Sequence, residues 1–271
     1  MKHVVCYSGG HSSALVAIEC VRKFGKENDI LLNHDISSWV EEADVKRFKQ
    51  EVADYLGISI LYVNIGGLPA GELPDQFDVT MKAKAFKVGD GSELCTNRLK
   101  TAPFHKWLDG YKEDLVTIYY GFDANETVRI QRRVGILAAM GYRSDYPLAF
   151  WKDRTIHSTE EIDIKPPLTY GVFKHANCIG CLKAGKQHWY IVYCNRPDIY
   201  EKAMVAEDFI GYTIIKGISL EELIPVFEDM RNKGIEPTER VPHQTFWAKV
   251  RKAQIPMIEE DVDTKPCECV F

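Results

Sequence analysis

Long hydrophobic runs are missing from this 271-residue sequence. No stretch approaches the ~18 consecutive apolar residues from which a membrane-spanning helix is built. The first residues also show no basic segment followed by an apolar one, which is the pattern of a secretory signal. These two absences predict a cytoplasmic protein that does not span a membrane.

A surplus of positive charge is missing as well. The chain has 34 Lys and Arg against 39 Asp and Glu, for a net charge of −5. This balance excludes the globally basic surface that is typical of nucleic-acid-binding domains, although it is compatible with a local basic patch. The 45% hydrophobic content is sufficient for the core of one large domain, or of one domain with an appendage.

Eight cysteines are present. In a chain without a secretory signal, cysteines bind metals, act in catalysis or pack as buried thiols more often than they form a disulfide framework. Cys6 and Cys20 fall within apolar strand and helix patterns, and we expect both to be buried packing residues.

Residues 4–18 contain an apolar run, two glycines between hydroxyl residues, and then an amphipathic pattern. This order predicts a buried strand, a tight turn and the beginning of a helix, where the first N–H groups lack partners and an anion is favoured. The spacing is that of neither a Walker loop nor a dinucleotide-binding fingerprint. The sequence therefore predicts a phosphate or pyrophosphate site here, the alternative being an ordinary strand–helix turn. The candidate nucleotide-binding residues are Ser8, Gly9, Gly10, His11, Ser12 and Ser13.

Strand and helix patterns alternate along the next part of the chain. Apolar runs over 29–35 and 58–65 flank helical spacing over 41–56, which Gly57 closes. Such alternation predicts a parallel sheet whose ligand lies beyond the carboxyl ends of the strands. His34 and Asp35 would then lie beside the glycine turn, near a nucleoside or Mg²⁺; the alternative for Asp35 is an N-cap or turn residue. The Gly- and Pro-punctuated residues after this part predict a long loop over 66–91.

Residues 8–13 resemble the Ser-Gly-Gly-x-Asp-Ser PP-loop of the ATP pyrophosphatase superfamily. Ser12 stands where that motif has Asp, and the other motif positions match at Ser8, Gly9, Gly10 and Ser13. The resemblance implies an α/β fold with a doubly wound parallel sheet like that of the adenine nucleotide alpha hydrolases. It also implies cleavage of ATP, with Mg²⁺, between the α and β phosphates to adenylate a substrate, with Ser13 and Asp35 as catalytic residues.

Two later segments resemble the PAPS and APS reductase family of the same superfamily. In a Cys-x-x-Arg-Lys-x-x-Pro element, Cys95, Arg98 and Pro103 match, while Lys100 is displaced by one position. Residues 121–129 resemble the family's Gly-x-Arg-x-x-(Glu)-Ser-x-x-Arg segment, with Asp123 in place of arginine and Arg129 one place early. The resemblance implies that Gly121 and Arg129 bind the nucleotide and that Cys95 is catalytic.

Arg129, Arg132 and Arg133 form a basic cluster. Arg129 and Arg133 are four residues apart and would share one helix face, where two guanidinium groups can bind a phosphate. The alternative is a solvated basic helix face.

The Cys178-Ile179-Gly180-Cys181 segment places two cysteines at the spacing that suits one metal or cluster. The resembled family pairs its early cysteine element with a later Cys-x-x-Cys to hold a 4Fe–4S cluster. The resemblance therefore implies an iron–sulfur site made by Cys95, Cys178, Cys181 and Cys194. Zinc, held by the same residues or with His175, and a free redox dithiol are the alternatives.

We divide the chain into an α/β nucleotide-binding domain over 1–150, a mostly helical, cysteine-containing part over 151–258, and a flexible tail over 259–271. In the tail, Glu268-Cys269 resembles half of the catalytic Glu-Cys-Gly element of PAPS reductases. Helical patterns in the second part cover 200–209, 220–233 and 244–252.

The favoured function is an ATP-dependent adenylating enzyme of the PAPS reductase-like branch, acting in sulfur transfer or nucleic-acid modification. The first alternative is a PAPS or APS reductase, and the second is a non-catalytic nucleotide-binding protein. The expected partners are a nucleotide and a small-molecule or nucleic-acid substrate, with a sulfur donor or a second copy of the chain as further partners.

Overall fold

The computed structural model describes residues 1–89, 91–111, 115–176 and 178–256. The predicted flexible tail over 259–271, with Cys267 and Cys269, lies outside the described residues.

Five parallel strands form one sheet in the order β3-β2-β1-β4-β5. The chain builds outward from β1 in one direction and then crosses back to place β4 on the other side of β1. This reversal creates a switch point between β1 and β4, where ligands of open parallel sheets bind. The strands are β1 Lys2–Cys6, β2 Asp29–His34, β3 Ile60–Val63, β4 Val116–Tyr119 and β5 Arg143–Asp145.

Helices cover both faces of the sheet, because alternate strand residues point to opposite faces. One hydrophobic cluster joins α1 (His11–Phe24) and α2 (Ala43–Leu56) to one face. A second cluster joins α5 (Ala102–Leu108) and α6 (Thr127–Ala139) to the other. The predicted α/β fold with a parallel sheet is confirmed.

The predicted strands and helices around the glycine turn are confirmed, including the end of α2 at Gly57, which adopts a left-handed conformation. The long loop predicted over 66–91 is wrong in one respect, because α3 (Gln76–Ala83) lies within it. A capping box begins this helix: the Asp75 side chain accepts from the amide of Asp78, whose own side chain accepts from the amide of Asp75. Two short helices complete this half of the chain, α4 (Leu94–Thr96) and α7 (Pro147–Phe150).

The second half of the chain is mostly helical, as predicted. Its helices pack around a third hydrophobic cluster that contains Trp189 and Phe227 and also receives Phe77 from α3. Ile156 and Ile164 pack in turn on the sheet cluster, so hydrophobic contacts cross the 150/151 division. The helices are α8 Lys186–Asn195, α9 Pro197–Ile210, α10 Leu220–Asn232 and α11 His243–Lys252. No helix in the described ranges is both long and apolar enough to cross a membrane.

Candidate functional site

The loop after β1 depends on a glycine at position 9. Gly9 has a φ of +83°, and a Cβ there would lie 2.7 Å from Cγ of Lys49 and 2.9 Å from Cγ1 of Val45. Lys49 is only 1% exposed; its Nζ donates to Glu41 Oε1 at 2.8 Å and to Asn33 Oδ1 at 3.3 Å. Gly9 therefore packs over a buried ion pair that supports the loop from behind, a role the sequence pattern did not predict.

The first turn of α1 presents backbone amides without partners. The amide of His11 donates to the Tyr170 hydroxyl at 3.0 Å. Within the described part of the chain, the amides of Ser12 and Ser13 make no hydrogen bond. These two N–H groups lie at the positive end of the helix dipole, where an anionic oxygen would satisfy them.

The hydroxyl groups of the loop are held in a short chain. Ser8 Oγ donates to Ser13 Oγ at 3.3 Å, and Ser13 Oγ donates to the Gly10 carbonyl at 2.8 Å. The loop is thereby fixed in a conformation that leaves the amides of α1 accessible.

The carboxyl end of β4 approaches this helix terminus very closely. A Cβ on Gly121 would lie 2.9 Å from both the carbonyl carbon of Ser12 and the amide nitrogen of Ser13. Only a glycine permits this approach without a backbone shift. The structure therefore gives Gly121 a packing reason to be glycine, whereas the sequence resemblance had proposed it as a nucleotide contact.

Arg129 projects from the first turn of α6 beside this junction. One of its guanidinium nitrogens, Nη1, pairs with Glu126, and the guanidinium lies 4.4 Å from the centre of the Phe122 ring. Its Nη2 is buried and has no hydrogen-bond partner among the described residues. A buried N–H group without a partner is rare in folded proteins and marks a place where a ligand oxygen fits.

These elements enclose a cleft with a volume of about 260 Å³ at the switch point of the sheet. In the described part of the chain, its cationic side chains are Arg129 and Lys174, and its one carboxylate, Glu126, is paired with Arg129. Of the predicted nucleotide-binding residues, the cleft brings together Ser8, Gly10, Ser12, Ser13, Gly121 and Arg129. The sequence missed its other lining residues, which are Phe122, Glu126, Tyr170, Lys174, His175 and Ala176.

Four predicted nucleotide-binding residues do not line this cleft: Gly9, which packs over Lys49, and His11, His34 and Asp35. The His11 ring is occupied elsewhere, because its Nε2 accepts from the Thr159 amide at 3.2 Å. His34 is buried edge-on to Phe104, and burial, with smaller effects of nearby cationic side chains, lowers its pKa well below the usual value. Asp35 continues β2, with its amide bonded to the Val63 carbonyl. Because Glu126 is already paired, the described cleft offers Mg²⁺ little beyond the phosphates of a nucleotide.

A second cavity of about 250 Å³ adjoins the cleft and shares Phe122 and Arg129 with it. It lies between α6, the segment over 92–105 that contains α4 and the start of α5, and Lys183. The remaining lining residues are Ser92, Glu93, Thr96, Asn97, Thr101, His105, Arg132, Arg133, Ile136 and Lys183.

The Cys-x-x-Cys loop is held rigidly by hydrogen bonds. The Ile179 amide donates to the Val40 carbonyl at 2.8 Å, and Gln76 Nε2 donates to the carbonyls of Ile179 and Gly180 at 2.7 and 3.1 Å. The Cys181 amide donates to His188 Nε2 at 3.4 Å.

Glu239 orients His188, and thereby this loop. Its Oε1 lies 2.9 Å from His188 Nδ1, which fixes the tautomer in which Nδ1 donates and Nε2 accepts. Burial would raise the pKa of Glu239, but the hydrogen bond from His188, together with His175 and the Lys174 amide, lowers it to about 2. The cleft residues Lys174 and His175 are thus anchored to the same carboxylate that positions the cysteine loop.

The four predicted metal ligands are not assembled into a site. Cys95, Cys178 and Cys194 pack against the third hydrophobic cluster, and Cys181 is buried. Cys194 has a raised pKa, mainly from burial, and interacts with Tyr190. Among the described residues, no group of three or more His, Cys, Asp or Glu side chains is arranged to hold a metal. The donor set as placed does not fit a cluster or zinc, and we derive no chemical step through either.

Cys6 and Cys20 are fully buried, which confirms their prediction as packing residues. Burial raises the pKa of Cys6 to about 12, so this thiol stays protonated at neutral pH.

No protein-family model matches the chain. Over 210 residues the chain is 30% identical to an uncharacterised nin region protein, ORF290, of Escherichia phage lambda, and the match covers 69% of this chain and 68% of the relative. At this identity and coverage, the chain belongs to the family of the lambda nin region protein ORF290.

Proposed function

We propose that this chain binds ATP in the cleft between the β1–α1 loop and the end of β4, and that it transfers the adenylyl group to a substrate with release of pyrophosphate. The observation that carries the proposal is the pair of unpartnered amides of Ser12 and Ser13, at a helix terminus on the switch point of a parallel sheet. The resemblance of residues 8–13 to the PP-loop agrees with it.

In this reaction an oxygen of the substrate attacks the α phosphorus and forms the new O–P bond. The bond between the α phosphorus and the bridging oxygen breaks, and its electron pair leaves with pyrophosphate. The Ser12 and Ser13 amides, with Arg129 and Lys174, would stabilise the charge that develops on the leaving group. Mg²⁺, when bound by the phosphates, would neutralise further charge.

The adenylated substrate is then open to attack by a nucleophile that displaces AMP. Sulfur transfer to a small molecule, or modification of a nucleic acid, fits this second step. The intact pair Gly9 and Gly10 favours ATP over a sulfonucleotide, since a reductase requires no pyrophosphate site.

The test is the product of prolonged incubation with MgATP, followed by ³¹P NMR, with water as the acceptor in place of the unknown substrate. We expect AMP and pyrophosphate. Arg129→Gln should slow the reaction by about a hundredfold, the typical effect of losing one preorganised donor to developing charge. Arg143→Gln is the matched control, because Arg143 is exposed at the amino end of β5, and it should leave the rate unchanged.

Three other outcomes would contradict the proposal. ADP and phosphate would mean cleavage at the wrong bond. ATP that binds but stays intact with every acceptor offered would indicate a non-catalytic nucleotide-binding protein. Sulfite formed from PAPS or APS with thioredoxin would make the chain a sulfonucleotide reductase.

A further inference from the structure

The second cavity carries a strong excess of positive charge. Among the residues that the structure describes, Arg129, Arg132, Arg133 and Lys183 line it against one carboxylate, that of Glu93, which pairs with Lys183 at 2.9 Å. Arginine is the residue best suited to bind phosphate, because its planar fork donates two parallel hydrogen bonds. The charge of this cavity therefore selects for an anionic ligand.

Two residues that line the cavity, one of them shared with the cleft, each carry a buried polar atom without a partner. Arg129 Nη2 and His105 Nε2 are both buried and have no hydrogen-bond partner among the described residues. Burial and the nearby Arg133 lower the pKa of His105, so its imidazole is neutral at physiological pH. Buried polar groups are nearly always satisfied, and two such groups in one cavity indicate a missing polar ligand.

The position of the cavity relates this ligand to the nucleotide. Arg129 and Phe122 line both the nucleotide cleft and the second cavity, so the two spaces adjoin. A molecule held in the second cavity would lie beside the phosphates of a nucleotide in the cleft, where the acceptor of an adenylyl group must be.

We propose that the second cavity binds the phosphate monoester group of a small acceptor substrate and presents that substrate to the nucleotide. A dianionic phosphate matches three guanidinium groups better than a singly charged carboxylate does. The volume of about 250 Å³ admits a small molecule, and the net charge of −5 does not favour a nucleic-acid surface. The acceptor role rests on the proposed function, whereas the phosphate site rests on the cavity alone.

The test is calorimetric titration of glycerol 3-phosphate into the full chain, with and without saturating α,β-methylene-ATP. We expect glycerol 3-phosphate to bind in the presence of the ATP analogue, and glycerol not to bind. Arg133→Gln should weaken the phosphate ester by about tenfold or more, as expected for the loss of one charge-assisted hydrogen bond, and leave the analogue's affinity unchanged. Arg132→Gln, at an exposed position on the same helix, gives a second variant in case Arg133→Gln unfolds, and Arg143→Gln is the control.

The phosphate-site inference fails if glycerol 3-phosphate does not bind, if neither cavity variant weakens it, or if the analogue displaces it competitively. If an eight-nucleotide single-stranded DNA without terminal phosphates binds more tightly than glycerol 3-phosphate, the inference is also overturned in favour of a nucleic-acid site. If the phosphate ester binds through Arg133 but the analogue does not bind at all, the phosphate site stands and the proposed function fails.

Discussion

At the scale of single residues, two buried charged groups in the sheet domain have opposite surroundings. Lys49 is buried against Glu41 and Asn33, so its charge is compensated. Asp29 is only 6% exposed, and neither of its carboxyl oxygens has a hydrogen-bond partner among the described residues. Burial, and then the charge of Glu27, raise the pKa of Asp29 to about 7, which Lys2 only partly opposes.

The raised pKa predicts a pH-dependent penalty on stability. The pKa of an unfolded Asp is about 3.9, so between pH 4 and 7 the folded state retains a proton that the unfolded state has lost, and folding weakens as the pH rises. Asp29→Asn removes this penalty because the Asn side chain does not ionise, although its side-chain amide would be as unpartnered as the carboxyl group. We expect the variant to match the wild type at pH 4 and to exceed its free energy of unfolding by about 1–3 kcal/mol at pH 8. Urea denaturation across this pH range is the measurement.

The control is Asp208→Asn, at an exposed position, whose stability relative to the wild type should show no such trend with pH. If the difference in stability between Asp29→Asn and the wild type does not change with pH, the explanation is wrong.

Site residues could be predicted from the sequence where they belong to one local motif. Ser8, Gly10, Ser12 and Ser13 lie within one stretch of six residues, and all four line the cleft. Lys49 was not predicted, because a lysine in a helical pattern normally faces solvent and its buried partners come from other elements.

At the scale of elements, most strands and helices could be predicted from hydrophobic periodicity, and the failures have physical reasons. Helix α8 was missed because its first seven residues are all buried, so no polar face reveals a helical period. Helix α3 had a readable signal, the pair Asp75 and Asp78 at capping-box spacing, within a segment dominated by glycine and proline.

The junction between β4 and α1 gives the sharpest prediction at this scale. A methyl group on Gly121 would press on the Ser12–Ser13 backbone, so Gly121→Ala must push the two elements apart. We expect a loss of roughly 1–3 kcal/mol in the free energy of unfolding, as for other overpacked sites, together with weaker nucleotide binding. The control is Gly135→Ala on α6, where a Cβ meets no atom of the described residues within 4 Å and the variant should be neutral or up to about 1 kcal/mol more stable. Equal stability of the two variants, measured by urea denaturation, would show that the close approach is not required.

At the scale of the whole molecule, the segment after residue 150 completes the site. Tyr170 binds the amide of His11, and Lys174 and His175 reach the cleft while Glu239 anchors them. The hydrogen bond between His11 and Tyr170 joins residues that are 159 positions apart in the chain. No local pattern encodes such a pairing, which is why the sequence predicted the glycine loop but not the opposite wall of its cleft.

The most direct measurement is calorimetric titration of α,β-methylene-ATP, which binds like ATP but resists cleavage between the α and β phosphates. A Cβ on Gly10 would lie 3.2 Å from the Tyr170 hydroxyl, so Gly10→Val places its branched side chain against the cleft wall. The control, Gly71→Val, adds the same side chain at an exposed turn where a Cβ meets no atom of the described residues within 4 Å. We predict that the wild type and Gly71→Val bind one nucleotide per chain with equal affinity, and that Gly10→Val remains folded but shows no binding heat. Unchanged affinity in a folded Gly10→Val variant would contradict the assignment of this cleft as the nucleotide site.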